Sequence, residues 1–400
     1  MWQRRHGQRG TPSPDAAVAA ASRTRRGPAR HAAGALAAAV VAASPGASSA
    51  GPTHPGAAAT TRLFLPVAVF GRDDRVAVPS RLQALKAKIG LLFSQRARLA
   101  CTAFCVAPDV VATAGHCLYR THGQQAPPLP DFWFARTFDG QRHFARLAGS
   151  DRNATAQHVM SGGMDLNVRP PIDAGKDWAL LRLARASCDG GTLPLRALSS
   201  EVIIAEAAAG RVFQVSYHRD FKPWRLAYGG PCGVARSFAA ADWTVIAGDF
   251  ADPSHLLLHT CDTGGASSGS PLLLESPDGI AVVGINVGTY VQSKVLMEDG
   301  RISKRFAAAE VANTAVNSTA FAGKLATFRR AVILASADEI RALQMALKQR
   351  ALYPGTIDGA YGAALRSAIE AYEGAQDLPV TGLATRALLQ RLQGPPLQQP

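Results

Sequence analysis

The chain has 400 residues, 47% hydrophobic and 18% charged, with six cysteines and a formal net charge of +14. This length suggests two or three domains, and the apolar content is enough for a sizeable core. The first fifty residues hold seven Arg and one Asp; without them 36 basic and 28 acidic residues leave +8. That surplus suits anionic envelope polymers or plain solubility, and no nucleic-acid motif accompanies it.

The N-terminus reads as an export signal over residues 1–50. Arg-rich Arg4–Arg30 precedes an apolar run, Ala32–Ala43, and then the small residues Ser48-Ser49-Ala50. The run is too short to span a bilayer, and no other stretch qualifies as a transmembrane helix. Arg25-Arg26 raises twin-arginine export, but its neighbours do not complete that signal. Six Cys in an exported chain favour disulfides over redox use, and no Cys/His spacing fits a zinc site. No metal or organic cofactor is expected.

Residues 51–62 have linker composition, which puts a linker at about 51–64 ahead of the first domain. Short apolar segments then follow at Leu63–Phe70, Val76–Val78 and Ile89–Phe93, which read as strands separated by turns. Next comes Cys101-Thr102-Ala103-Phe104-Cys105, and farther on Thr113-Ala114-Gly115-His116-Cys117. Residues 118–175 are polar and loop-rich, with strands expected at Phe132–Phe138 and Gln141–Leu147. Lys176-Asp177-Trp178-Ala179-Leu180-Leu181 sets an acid at the head of an apolar strand; Asp165 and Asp173 lack that context.

A second set of strands is expected at Val202–Ala205, Arg211–Tyr217, Trp224–Tyr228, Trp243–Ile246, Leu256–Thr260, Leu272–Leu274 and Ile280–Val287. Short strands at this spacing argue for an all-β barrel or sandwich. Among them lies Asp262-Thr263-Gly264-Gly265-Ala266-Ser267-Ser268-Gly269-Ser270-Pro271. Such a loop presents a hydroxyl beside backbone N–H groups, or is simply a Gly/Ser turn. Residues 305–323 are Ala-rich and helical in tendency.

The Cys101–Cys117 segment, Gly71-Arg72-Asp73-Asp74-Arg75 and Ser268-Gly269-Ser270-Pro271 together resemble trypsin-like serine peptidases, most of all the V8/glutamyl-endopeptidase branch. The resemblance covers roughly residues 65–325 and implies a chymotrypsin-like fold of two antiparallel β-barrels. It implies that His116 is the general base, Asp177 its orienting acid and Ser268 the nucleophile, with a Cys101–Cys117 bridge steadying the His turn. The oxyanion hole would use the N–H groups of Ala266 and Ser268, although family members usually have Gly at the first of these. An uncharged Ser267 stands where zymogens have an Asp, so no buried activation ion pair with a new N-terminus is expected. Asp262, Thr263, Asn286 and Gly288 would line the specificity pocket. An Asp at position 262 suits Lys or Arg substrates, but Asp262-Thr263 also resembles the Glu-specific branch, whose pocket His is replaced here by Asn286, and Asp262 could equally be a hydrogen-bonded structural acid. The P1 preference stays open, as do the pairings of Cys105, Cys188, Cys232 and Cys261; Cys232 with Cys261 would clamp the pocket.

After a linker at 326–336, residues 338–347 carry Ile340, Leu343 and Leu347 at helical spacing behind an N-cap at Ser336 or Asp338. Further helices are expected at Ala363–Tyr372 and Thr385–Leu392. Leu343-Gln344, Pro354-Gly355-Thr356-Ile357-Asp358-Gly359 and Thr381-Gly382 resemble the peptidoglycan-binding type 1 domain over 337–393, a small all-α three-helix unit. Residues 394–400 form a Pro/Gln-rich tail expected to be disordered. The combination implies an exported serine endopeptidase acting on proteins or peptides and held on peptidoglycan. Its rivals are a non-catalytic envelope-binding protein with a degenerate peptidase fold, and a hydrolase of wall cross-links.

Overall fold

The computed structural model describes residues 58–65, 68–119, 129–149, 151–221, 225–238, 243–298, 301–305 and 309–394. The export signal over 1–50 and the tail from 395 lie outside the described residues.

Two strands come first, β1 (Ala58–Leu65) and β2 (Val76–Ala77). Then follow β3 (Ile89–Ser94), β4 (Leu99–Ala107), β5 (Val110–Thr113), β6 (Trp133–Phe138), β7 (Gln141–Arg146), β8 (Val159–Ser161) and β9 (Ala179–Arg182). These seven form one antiparallel sheet in the order β7-β6-β3-β4-β5-β9-β8. A short helix, α1 (Arg152–Ala156), precedes β8 and is capped by Asp151.

The later strands are β10 (Val212–Tyr217), β11 (Leu226–Gly229), β12 (Val234–Ala235), β13 (Leu256–His259), β14 (Pro271–Ser276), β15 (Gly279–Glu298), β16 (Arg301–Arg305) and β17 (Ala309–Asn317). With β1 and β2 they make a ten-stranded antiparallel sheet along β12-β13-β17-β15-β14-β10-β11-β2, where β1 and β16 also pair with β15. One hydrophobic cluster runs through both sheets, joining Phe104, Val110 and Leu180 to Val215, Ile285 and Val316. The result is the expected chymotrypsin-like pair of antiparallel units followed by a helical C-terminal region.

Local expectations fail at four places. Val202–Ala205 is not a strand but lies in helix α2 (Ser200–Ala208). Ser199 caps it, accepting from the Val202 N–H, and Ile203 and Ala207 bury one face, so cap and helical period outweigh the β-branched run. Trp243–Ile246 likewise falls in a helix, α3 (Trp243–Ala247). The Ala-rich stretch 305–323 holds β17, paired on one side with β13 and on the other with β15. Pairing on both edges and burial of residues 311–318 override its helical propensity. The helix arrives later, as α4 (Lys324–Arg330). Finally β1 pairs with β15 from Ala58 onward, inside the stretch with linker composition.

The C-terminal unit has its own core. Helices α5 (Ala337–Gln349), α6 (Ala363–Ala375) and α7 (Arg386–Gln393) enclose Leu343, Leu347, Leu365, Ile369 and Leu388. Ser336 and Glu339 close a capping box on α5, and Thr385 caps α7. Gln344 takes the Gly359 N–H at 2.9 Å and donates to Asp358 at 2.7 Å, which fixes the Ile357-Asp358-Gly359 turn to α5. The unit is bonded to the first sheet. Arg366 of α6 donates to the Ser161 carbonyl at 2.7 Å and its Oγ at 3.2 Å.

Candidate active site

His116 occupies a single 3-10 turn, Gly115–Cys117, that follows β5. Asp177 stands just before β9, and Thr113 of β5 pairs with Ala179 of β9, so adjacent strands deliver both residues to one sheet end. The Asp177 carboxylate holds His116 twice. Oδ2 is 2.7 Å from the ring Nδ1, and Oδ1 accepts the His116 main-chain N–H at 2.8 Å. This fixes the ring's position and puts the Nδ1 proton on the Asp side, leaving Nε2 as the basic nitrogen. Asp177 is 3% exposed while the His116 side chain keeps 19%, so the acid is shielded and the imidazole reachable. Gly115 allows this approach, since a Cβ there would lie 3.3 Å from Asp177 Oδ1.

The Cys101–Cys117 disulfide forms as expected, joining β4 to the His turn. Cys105 pairs with Cys188 and Cys232 with Cys261, which settles the open pairings. Cys101, His116 and Cys117 lie close enough to suggest a metal site. However, both sulfurs are spent in the disulfide and Nδ1 on Asp177, so this donor set does not fit a metal ion.

The loop bearing Ser268 is held at nearly every residue. Thr102 of β4 carries much of this: its N–H donates to the Ser268 carbonyl at 2.8 Å, and its Oγ1 donates to the Ala266 carbonyl at 2.8 Å. The Cys117 sulfur lies 3.9 Å from the Ser268 carbonyl oxygen, so the Ser loop packs on the His turn. Gly265 accepts from the Arg219 N–H at 2.7 Å, and Ser270 Oγ accepts from Gln214 at 2.6 Å. Gly269 has φ +83°, and a Cβ there would meet Thr113 Oγ1 at 2.1 Å, so only glycine fits. Arg75, whose side chain is 3% exposed, bonds both Asp73 and Asp220. This knot lies against Gly264, where a Cβ would fall 2.1 Å from Asp220 Oδ1. The bonds to Arg75 hold the Asp73 carboxyl down at about 2.

Ala266 adopts φ +86°, the conformation that glycine takes without strain. Thus the turn keeps a glycine-like shape in spite of the methyl group. The Ser267 N–H is spent on Gly264 O, the Gly269 N–H on Asn286 O and the Ser270 N–H on Ser267 O. Among the described residues the N–H groups of Ala266 and Ser268 donate to no protein acceptor. No hydrogen bond joins Ser268 Oγ to His116 in this structure; the bonded pair is His116–Asp177.

The residues expected to line the specificity pocket are buried and internally bonded. The Asp262 carboxylate, 2% exposed, accepts the N–H groups of Phe70 at 2.8 Å and Asp74 at 3.0 Å. Its carboxylate is thus engaged by main-chain donors inside the protein. Thr263 Oγ1 accepts the Ala68 N–H at 2.9 Å. Asn286 is 1% exposed, accepting from His259 Nε2 at 3.1 Å and donating to the Ser267 carbonyl at 3.2 Å. His259 Nδ1 accepts the Cys261 N–H at 3.2 Å, so its proton is on Nε2 and the ring is neutral. Complete burial pushes the His259 imidazole down to about 4. Gly288 lies at a bulge in the β15–β17 pairing.

Thr102, Arg75, Asp220, Gln214 and His259 support the site without having been singled out in the sequence. The only sequence signals were the position of Thr102 beside Cys101 and of Arg75 within the Gly71–Arg75 turn.

Residues 101–285 match the trypsin-like peptidase domain family. Residues 336–392 match the peptidoglycan binding domain family. A solved Glu endopeptidase, determined in complex with MPD, is 15% identical to the chain at a TM-score of 0.40, with 66% of this chain and 99% of that one covered. None of the curated proteins compared with the chain matches it.

Proposed function

We propose that this chain, a trypsin-like serine endopeptidase with a C-terminal peptidoglycan binding domain by its two family matches, is exported, cuts peptide bonds with His116, Asp177 and Ser268, and is held at the cell wall. The double hold of Asp177 on His116 carries the reading. An acid that grips both the ring and the main chain of a partly exposed His is built to set a general base. Three disulfides suit an oxidising compartment outside the cytoplasm. Among the described residues no helix is long and apolar enough to cross a membrane.

In this mechanism substrate binding brings Ser268 Oγ and His116 Nε2 together; such contacts are often open before substrate arrives. Ser268 Oγ bonds to the scissile carbonyl carbon as its proton passes to Nε2. The oxyanion accepts from the Ala266 and Ser268 N–H groups, which are unspent. The C–N bond then breaks, with the leaving amine taking the proton from His116. Water, deprotonated by the same nitrogen, hydrolyses the acyl-enzyme and restores Ser268. Asp177 stays ionised throughout and stabilises the imidazolium. Asp262, Thr263 and Asn286 shape the pocket from behind, while Gly288 offers main chain to the substrate's extended backbone.

The glycine-like φ of Ala266 supports this over a degenerate, non-catalytic fold. The test compares wild type with Ser268→Ala on a peptide library and on casein, with an organophosphonate probe as label. Cleavage lost in the variant, and label on Ser268 of the wild type, are the expected results. Equal cleavage by both proteins would refute the mechanism.

A further inference from the structure

A groove of about 490 Å³ lies between the end of the peptidase unit and the helical unit. One wall is α4 and the segment after it, with Thr327, Arg330 and Val332; the other is α7, with Arg386, Gln390 and Arg391. The two walls are joined by main chain. Leu334 N–H donates to Ala384 O at 3.0 Å, Arg386 N–H donates to Val332 O at 2.9 Å, and Ile333 bridges Thr385. A groove tied across its base in this way is formed in advance, and its volume falls in the range of small-ligand sites.

Its chemistry is uneven. Val332 is 59% exposed, a large aliphatic side chain left in solvent at the mouth. Leu378 and Pro379 continue the apolar surface. Arg386 is paired with Glu339 at 2.9 Å. Arg330 and Arg391 are exposed and carry no ion pair or side-chain hydrogen bond among the described residues. Glu373, at the back, is occupied by Thr381 and the Gly382 N–H and is turned to holding that loop. Two open guanidiniums over an aliphatic floor recognise free carboxylates next to small alkyl side chains. No aromatic ring lines the groove, so the flat stacking platform that a sugar face prefers is missing.

We infer that this composite groove binds the carboxylate-bearing peptide stems of peptidoglycan rather than its glycan strands. The inference rests on the proposed wall targeting and names its subsite and ligand class. Because α4 belongs to the peptidase unit, a bound stem is held in fixed register with the catalytic unit, which a flexibly linked module would not achieve.

Full-length protein is sedimented with purified sacculi, alone and with soluble competitors. Wild type should pellet. A disaccharide-tetrapeptide should release it, and peptide-free glycan should not. Arg330→Glu/Arg391→Glu should retain about a tenth or less of the bound fraction, as expected on losing two charge-assisted contacts. Val332→Glu, at an exposed position that leaves the core untouched, should weaken binding in the same direction. Binding unchanged in these variants, or release by glycan alone, would overturn the groove while leaving wall targeting intact. Wild type remaining in the supernatant would overturn both.

Discussion

Thr102 donates its main-chain N–H to the carbonyl of Ser268 at 2.8 Å, while its neighbour Cys101 is bonded to Cys117 beside His116. One dipeptide of β4 therefore ties down both the Ser268 loop and the His116 turn, whose two residues meet in the proposed mechanism. The Thr102 hydroxyl adds a donor to Ala266 O and an acceptor for the Tyr217 N–H at 3.0 Å. Thr102→Val keeps the shape but strands both partners in a buried site, costing about 1–3 kcal/mol of stability. Because the loop loses its anchor at Ala266, kcat should fall by about tenfold or more with KM little changed. Steady-state kinetics and a denaturant melt read the two effects; an unaltered kcat would count against Thr102 as an anchor.

Ala266 and Gly269 both sit at positive φ, +86° and +83°, but with opposite freedom to change. Ala266→Gly relieves a conformation that costs an L-residue roughly 1–2 kcal/mol, and it adds a similar entropy cost in the unfolded chain. Stability should hardly move, while activity should equal or exceed wild type as the Ala266 N–H settles toward the oxyanion. Gly269→Ala drives a methyl into Thr113 Oγ1 and the Thr102 carbonyl, placed 2.1 Å and 2.3 Å from the ideal Cβ. It should abolish cleavage and phosphonate labelling together. A labelled, active Gly269→Ala enzyme would show that the loop is not fixed as described.

The buried His259 makes stability depend on pH. Its ordinary value of 6.5 applies to the unfolded chain, and burial lowers it to about 4 in the fold. The unfolded state thus binds the proton first as pH falls, so the neutral-ring contribution is complete above 6.5. It drains away between 6.5 and about 4, by roughly 3 kcal/mol in all. His218, also driven to about 4 by burial and by Arg75, adds to the same slope. His259→Gln, which preserves an acceptor and a donor toward Cys261 and Asn286, should flatten the stability profile in that window. An identical slope in wild type and variant would assign the acid sensitivity elsewhere.

The catalytic candidates were legible because each is marked locally. His116 is bracketed by Ala-Gly and Cys, Asp177 opens an apolar strand, and Ser268 lies in a run of small residues. Where secondary structure misled, the deciding contact was distant or was a cap. β17 is Ala-rich, and only its two strand partners make it extended. At α2 the Ser199 cap outweighed Val202, Ile203 and Ile204. The partners of Asp262 were hidden for the same reason, since Phe70 and Asp74 lie about 190 residues earlier, beyond any local pattern. Arg75 was legible as part of a turn, but its bond to Asp220 was not.

The join between the helical unit and the first sheet gives the last prediction. Arg366 is 5% exposed and bonds Ser161 of β8 with two nitrogens and Glu370 with the third, at 2.7 Å. Ser161 pairs with Ala179 in β9, two residues after Asp177, and the next N–H, of Gly162, donates to Trp178 O at 3.1 Å. Hence the C-terminal helices press on the strand end that presents the acid of the His–Asp pair. Arg366→Met keeps the stem but removes every bond, and should cost about 2 kcal/mol, because Glu370 can turn to solvent. Wild type should melt as one unit, whereas Arg366→Met should show an earlier, separate transition for the helices. Ser161→Ala, which spares the carbonyl contact at 2.7 Å, should lose less than Arg366→Met does. A single transition at the wild-type midpoint in Arg366→Met would overturn the Arg366–Ser161 bonds as the tie between the two units.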